Sequence, residues 1–353
     1  MDHPEGEGEM GSVRLGFDRR VRLEFHGSKI SSDGGLLLFR KLDDALGLHD
    51  IAGRSLRDTR TGHNRLHSLV GLLHQSVFGR LAGYDDVNEA DHLAFDLVMR
   101  QCVRGRAVDA KAASASQMGR FETEVWATTD NRTALADMSG QWIDRVHERK
   151  LPKWITLDMD SSVSPTHDAQ QDTAWNGHFH PLFVFNKFGP LERCALRPGN
   201  VHSTDGWEAV LKPVIARYAD RHLMRLFQGD AAFTISELYK FLEAAGYFYA
   251  IRLRANRVLQ SRIAHLLKHP VGRPPKGVKR VYGDFEYLAV SWDKPSRVVA
   301  KVEWHPGEFF PRIGFVLTNP PMQADWVIQF YNKRGTARKT SRRSIGRGCP
   351  ARH

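Results

Sequence analysis

With 353 residues, 41% hydrophobic and 26% charged, the chain has the makeup of a soluble globular protein of two or three domains, which excludes global disorder. A net charge of +11 favours a polyanionic partner, because clustered Lys and Arg release counterions from phosphates. Three scattered cysteines (Cys102, Cys194, Cys349) make neither a disulfide framework nor a CxxC zinc pattern, and no run approaches the ~18 apolar residues of a membrane span, so a cytoplasmic protein with no membrane partner is expected.

Residues 1–30 read as a polar arm, with a short strand at Val21 to Phe25. A helix is predicted from near Asp33, where Ser31, Ser32 and Asp33 can cap and Leu36, Leu37, Phe39 and Leu42 form an apolar face, with Gly47 as its end. His63 to Ala82 repeats Leu66, Val70, Leu73 and Val77 at helical spacing. Further helices are predicted from near Ser116 and over Leu135 to Lys150, so residues 31–150 form a mainly helical domain.

The character changes at Leu151-Pro152. In WITLDMD the residues alternate, so Ile155, Leu157 and Met159 share one face of a strand and Thr156, Asp158 and Asp160 the other. His180 to Asn186 and Glu192 to Pro198 read as a hairpin around Gly189. A helix follows over Asp205 to Tyr218, interrupted or delayed by Pro213, then a strand at HLMRLFQ. The next helix carries a predicted capping box from Thr234 to Glu237 and stops at Gly246, and Tyr247 to Arg254 is a last strand.

Three strands, helix, strand, helix, strand is the element order of a ribonuclease H-like core, placed here at residues 151–254. Residues 255–320 look like an inserted β subdomain that opens on the basic stretch LKHPVGRPPKGVKR. Residues 321–337 return to the core, and 338–353 form a basic tail with six Lys or Arg and no acid. The fold class expected is therefore α/β: a ribonuclease H-like mixed sheet with an inserted β subdomain, preceded by a mainly helical N-terminal domain.

Two acids stand where strands stop, Asp160 and Asp230. Two-metal phosphodiester chemistry needs carboxylates that converge on ions ~3.5–4 Å apart, and hard Mg²⁺ takes oxygen ligands. Neighbouring strands would bring these two together, with Asp158 as the rival for the first position. The plainer reading is that such acids cap helices or face water, and Asp230 could cap the helix that follows it.

The chain resembles the DDE transposases of bacterial insertion sequences that carry a strand-rich insertion between the second and third acids. The resemblance spans about residues 30–337 and rests on SSDGGLLL, AGYDDVNEADHL, ASQMGRFE, LDMDSS, PLFVF with LRPGNVHS, the GD of FQGD, YFYAIRLRANR, VVAKVEWHPGEFFPR, LTN and FYNKRGTA. It implies that Asp160 and Asp230 are the first two catalytic acids and hold Mg²⁺ or Mn²⁺. Partners by the same resemblance are double-stranded DNA, namely transposon terminal inverted repeats and target DNA, bound by a homo-oligomer at the bacterial nucleoid. Tyr331 and Arg334 match the family's third motif and would lie near a phosphate. Arg273, Lys276, Lys279 and Arg280 of the insertion are expected DNA contacts, as are Arg54, Arg57, Arg60 and Arg65 of the helical domain, each against the plainer reading of a solvated basic face.

The chain departs from the family after Arg334. Arg338 stands at the position of the third acid, a Glu, and Ile345 at that of a Lys, while no acidic residue follows Asp325. A shifted reading frame near codon 338 would produce such a tail. The expectation is a transposase lacking its third acid, with a catalytically inactive, end-binding remnant as the alternative. His63 and His67 are spaced for a helical metal site without an evident third ligand, and Trp175, Trp207 and Trp292 are expected to pack in cores.

Overall fold

The computed structural model describes residues 13–14, 16, 22–23, 34–61, 65–84, 86–104, 111–165, 177–268, 277–290 and 292–334. The chain divides into two compact units after Lys150. The first begins with a two-residue antiparallel pair, β1 (Val13–Arg14) and β2 (Arg22–Leu23). Seven α-helices follow among the described residues: α1 (Leu36–Leu46), α2 (Leu48–Ser55), α3 (Leu69–Leu81), α4 (Ala90–Leu93), α5 (Leu97–Arg104), α6 (Ala115–Arg120) and α7 (Thr129–Arg149).

Local chemistry explains most of these bounds. Gly47 ends α1 at φ 70°, a left-handed conformation that glycine adopts without a Cβ penalty. The caps expected at Ser31 to Asp33 lie outside the described residues. α3 starts at Leu69, later than the apolar spacing suggests, because the Ser68 hydroxyl accepts from the Gly71 amide and closes the helix end; Leu66 stays exposed ahead of it. α6 opens with a reciprocal capping box between Ser114 and Gln117. The core joins Ile51, Leu72, Leu73, Met118, Phe121 and Met138.

The second unit is built on one eight-stranded sheet. In chain order its strands are β3 (Trp154–Ser161), β6 (Leu182–Asn186), β7 (Leu191–Ala195), β8 (Met224–Gly229), β9 (Phe248–Leu253), β10 (Lys279–Tyr287), β11 (Ser296–Trp304) and β12 (Arg312–Thr318); β4 (Ser164–Pro165) and β5 (His178–Phe179) pair outside it. The spatial order is β10-β11-β12-β9-β8-β3-β6-β7. β3, β8 and β9 run parallel to their neighbours in that trio, and every other pairing is antiparallel. Crossovers through α8 (Trp207–Arg217) and α9 (Ser236–Ala244) make the parallel pairings possible. The antiparallel entry, the parallel trio and the helical crossovers form the expected ribonuclease H-like mixed sheet, and the helical region precedes it as expected. The strands of residues 279–318 continue that sheet, since β12 pairs with β9. A short helix, α10 (Arg257–Arg262), leads toward them.

The two sheet faces are covered by different helices. Ile155, Leu157 and Met159 of β3 lie in one cluster with Val210 and Leu211 of α8 and Leu238 and Leu242 of α9. On the opposite face, Ala250, Val299 and Val316 pack against Val327 and Ile328 of α11 (Ala324–Asn332). β3 is thus buried on both sides, and the alternation in WITLDMD separates two buried faces instead of a core face and a wet one. Trp207 and Trp292 are buried in the core as expected, whereas Trp175 lies outside the described residues. Pro213 sits inside α8 without ending it.

One local expectation is corrected. Thr234 and Glu237 form no capping box, because the cap position of α9 is Ile235 and the helix begins at Ser236. The Thr234 hydroxyl instead donates toward the Ala231 and Arg252 carbonyls, tying the end of β8 to β9.

Candidate acidic site at the end of the sheet

Register brings the two strand-end acids side by side. β3 and β8 run parallel with Met159 opposite Gly229, so the next residues along the two strands are Asp160 and Asp230. Both follow the even-numbered side of their strands, the side on which α11 packs. Asp158 and Asp160 are buried, at 8% and 5% exposure. A buried carboxylate needs hydrogen bonds or a countercharge, and here one side chain answers both.

Arg334, just past the end of α11, reaches across the pair. Its Nε donates to Asp158 Oδ1 at 2.9 Å, and its Nη2 donates to Asp160 Oδ1 at 3.1 Å and to the Met159 carbonyl at 3.2 Å. Burial works against the guanidinium charge, but the Asp158 and Asp160 carboxylates outweigh it, with smaller help from Tyr331 and Asp230, so the Arg334 pKa stands above its ordinary value. Tyr331 is pushed up by burial, against the neighbouring cations Arg334 and Arg252. The end of α11 is fastened to β8 by Gln228, whose Nε2 donates to the Phe330 carbonyl at 2.6 Å.

Asp230 combines the two readings the sequence leaves open. It follows Gly229, the partner of Met159 in the register, and its Oδ1 accepts from the Ala232 amide at 2.9 Å, capping the short 3₁₀ turn Ala231–Phe233. Gly229 before it is needed for space. A Cβ there would stand 3.2 Å from the Phe227 ring and 3.3 Å from Phe233 Cβ, so any side chain would press on the turn that Asp230 caps.

Two hollows flank the acids. One, of about 460 Å³, is lined by Thr156, Asp158, Gln228, Trp154, Trp326 and Phe330 among others. The second, of about 470 Å³, runs from Asp230 past Arg252 and Arg254 to Gly314 and Phe315. Arg252 and Arg254 are exposed and form no ion pair among the described residues. Their sequence signal is the basic run RLRANR, which begins on β9 at Arg252 and continues past its end.

Other expected contacts fare differently. Arg280 is paired with Glu303 at 2.9 Å, while Lys279 beside it is exposed. Arg273 and Lys276 lie outside the described residues, as does Arg338. In the helical unit Arg57 is paired with Asp130, and Arg60 and Arg65 with Asp58, so these cations are partly neutralised within the chain. His67 is buried, and His63 lies outside the described residues. Glu303 and Glu308 hold Arg280 and Arg312.

Residues 13–343 match the family model described as transposase DDE domain group 1. The chain belongs to that transposase family. Among solved structures, a piggyBac transposase synaptic complex with hairpin DNA is similar at a TM-score of 0.39 and 14% identity, covering 86% of this chain and 66% of that protein. No curated protein matches the chain. No helix among the described residues is long and apolar enough to cross a membrane.

DDE transposases use divalent metal ions, and the donor set here is of the right chemistry. Asp160 and Asp230 offer hard oxygens from adjacent strands, and the Arg334 guanidinium lying on Asp160 marks the locus as one that holds positive charge. Among the described residues no group of three His, Cys, Asp or Glu side chains closes into a complete metal site.

Proposed function

We propose that this chain is a DNA transposase whose acidic site cuts and joins phosphodiester bonds, and that this copy lacks the third acid of the site. The observation that carries the reading is the pairing of Met159 with Gly229, which sets Asp160 and Asp230 at neighbouring strand ends. These two would hold Mg²⁺ or Mn²⁺. When bound, such ions polarise the phosphate and lower the pKa of attacking water.

The remaining roles fall to the chain's own side chains. Arg334, beside Tyr331, would meet a phosphate with its fork of donors. Arg252 and Arg254, walling the hollow that begins at Asp230, would carry the backbone of the strand being cut. The insertion, through Lys279, Arg280, Arg273 and Lys276, would grip double-stranded DNA of the transposon's terminal inverted repeats, with target DNA and a second copy of the chain completing the assembly.

Arg338 at the position of the third acid argues for lost activity. Exchanging a carboxylate for a guanidinium removes one ligand of the two-ion site and replaces it with a charge that repels the second ion, by about 4 kcal/mol at 4 Å even at an effective dielectric of 20, while Asp160 and Asp230 can still take one ion. End binding without chemistry is the result.

The test uses the purified full chain and duplexes carrying the ends of its own element, with Mg²⁺ or Mn²⁺. Binding to end DNA without nicking or strand transfer is expected. Cleavage that disappears in Asp160→Asn would keep the enzyme and refute the claim of lost activity. Equal affinity for end and unrelated DNA, with no cleavage, would overturn the transposase reading.

A further inference from the structure

Arg334 matches a position expected near a DNA phosphate, yet its guanidinium is bound to carboxylates of its own chain. The two attachments differ in kind. Nε, on the stem of the fork, gives its one N–H to Asp158, whereas Nη2 at the tip donates to both Asp160 and the Met159 carbonyl. The stem bond therefore sets where Arg334 stands, and the tip bond can be exchanged by a small pivot. With 17% of its side chain exposed, Arg334 needs a carboxylate partner, since a buried charge stripped of its countercharge is strongly disfavoured.

We infer that Asp158 is a positioning residue that tethers Arg334, and that Arg334 is an exchangeable cation on Asp160, displaced when a divalent ion takes that carboxylate. The inference rests on the reading of Asp160 and Asp230 as the metal-binding pair. It decides between Asp158 and Asp160 as first ligand, a choice the sequence leaves open. Were Asp158 also a ligand, an incoming ion would leave the half-buried Arg334 without a carboxylate. With Asp158 as tether, Arg334 stays paired at its stem while its tip is released. Loading of the ion and presentation of the guanidinium tip to a phosphate become one event.

The experiment measures Mn²⁺ binding to the full chain without DNA, by electron paramagnetic resonance of the free ion. Arg334→Gln removes the competing charge and is expected to bind Mn²⁺ at least about tenfold more tightly than the parent. Asp158→Asn leaves Arg334 with Asp160 as its nearest carboxylate and is expected to weaken binding. In the Arg334→Gln background, Asp158→Asn should change affinity by no more than about twofold, because its tethering role is gone.

A loss of about tenfold or more in that background would make Asp158 a ligand and overturn the proposal, as would Arg334→Gln binding no tighter than the parent. Arg334→Lys, which keeps the charge, should stay close to the parent. Tightening cannot arise from a misfolded variant, so the gain separates this role from a structural one. The underlying metal reading fails separately, if Asp160→Asn binds Mn²⁺ as the parent does.

Discussion

Asp43 shows what a committed carboxylate looks like in this chain. It is buried in α1, where its Oδ1 accepts from the His49 amide at 3.1 Å and its Oδ2 lies 2.9 Å from His74 Nε2 and 3.3 Å from Arg40 Nη1. Burial pushes its pKa up, but His74, Arg40 and the His49 amide together outweigh burial and hold it below the usual carboxylate value. A folded-state pKa below the unfolded one means stability that is fully present above the unfolded value and lost as the pH falls through the folded one. Asp43→Asn should therefore cost about 2 kcal/mol near neutral pH, in the range of a hydrogen bond to a charged group. Urea denaturation at a series of pH values checks this: the gap between parent and variant should hold steady down to about pH 5 and shrink as the pH falls past the ordinary carboxyl value of 3.8, and a constant gap would show that the charge of Asp43 contributes nothing.

At the scale of elements, the link between β8 and β9 separates two accounts of Thr234. The capping account gives Thr234 and Glu237 equal weight, whereas the structure gives Thr234 two carbonyl partners and leaves Glu237 in the first turn without a capping role. Thr234→Val is expected to destabilise the sheet unit by about 1 kcal/mol, the net worth of a hydrogen bond, and Glu237→Ala by only a few tenths, in thermal melts of the two variants. Equal losses would restore the capping box. Thr-x-x-Glu is a local signal, whereas Thr234 answers to a carbonyl on β9, eighteen residues away. The same limit explains the rest. Helix α9, the strands and the positions of Asp160 and Asp230 were legible because apolar spacing and strand-end acids are local patterns. The contact of Arg334 with Asp158 and Asp160 spans more than 170 residues and depends on where α11 ends, which no spacing records.

For the whole molecule, net charge is a poor guide to where a polyanion would lie, because so many cations are already answered. In the sheet unit Arg280 faces Glu303, Arg297 faces Asp284, Arg312 faces Glu308 and Lys294 faces Glu243. Arg252 and Arg254 have no such partner among the described residues, and they share a hollow with Asp230. An unpaired guanidinium that meets a phosphate releases a counterion, so log affinity should fall with log salt by about 0.9 for each such contact. Fluorescence anisotropy with duplex DNA between roughly 50 and 200 mM salt is the measurement. Arg252→Ala and Arg254→Ala should each flatten the slope by about 0.9 and weaken all duplexes alike, as phosphate contacts do. Arg280→Ala should flatten it less, because binding DNA there requires giving up Glu303. A slope untouched by the first two changes would move the DNA path away from the hollow beside Asp230, and with it the strand expected to reach the acidic site.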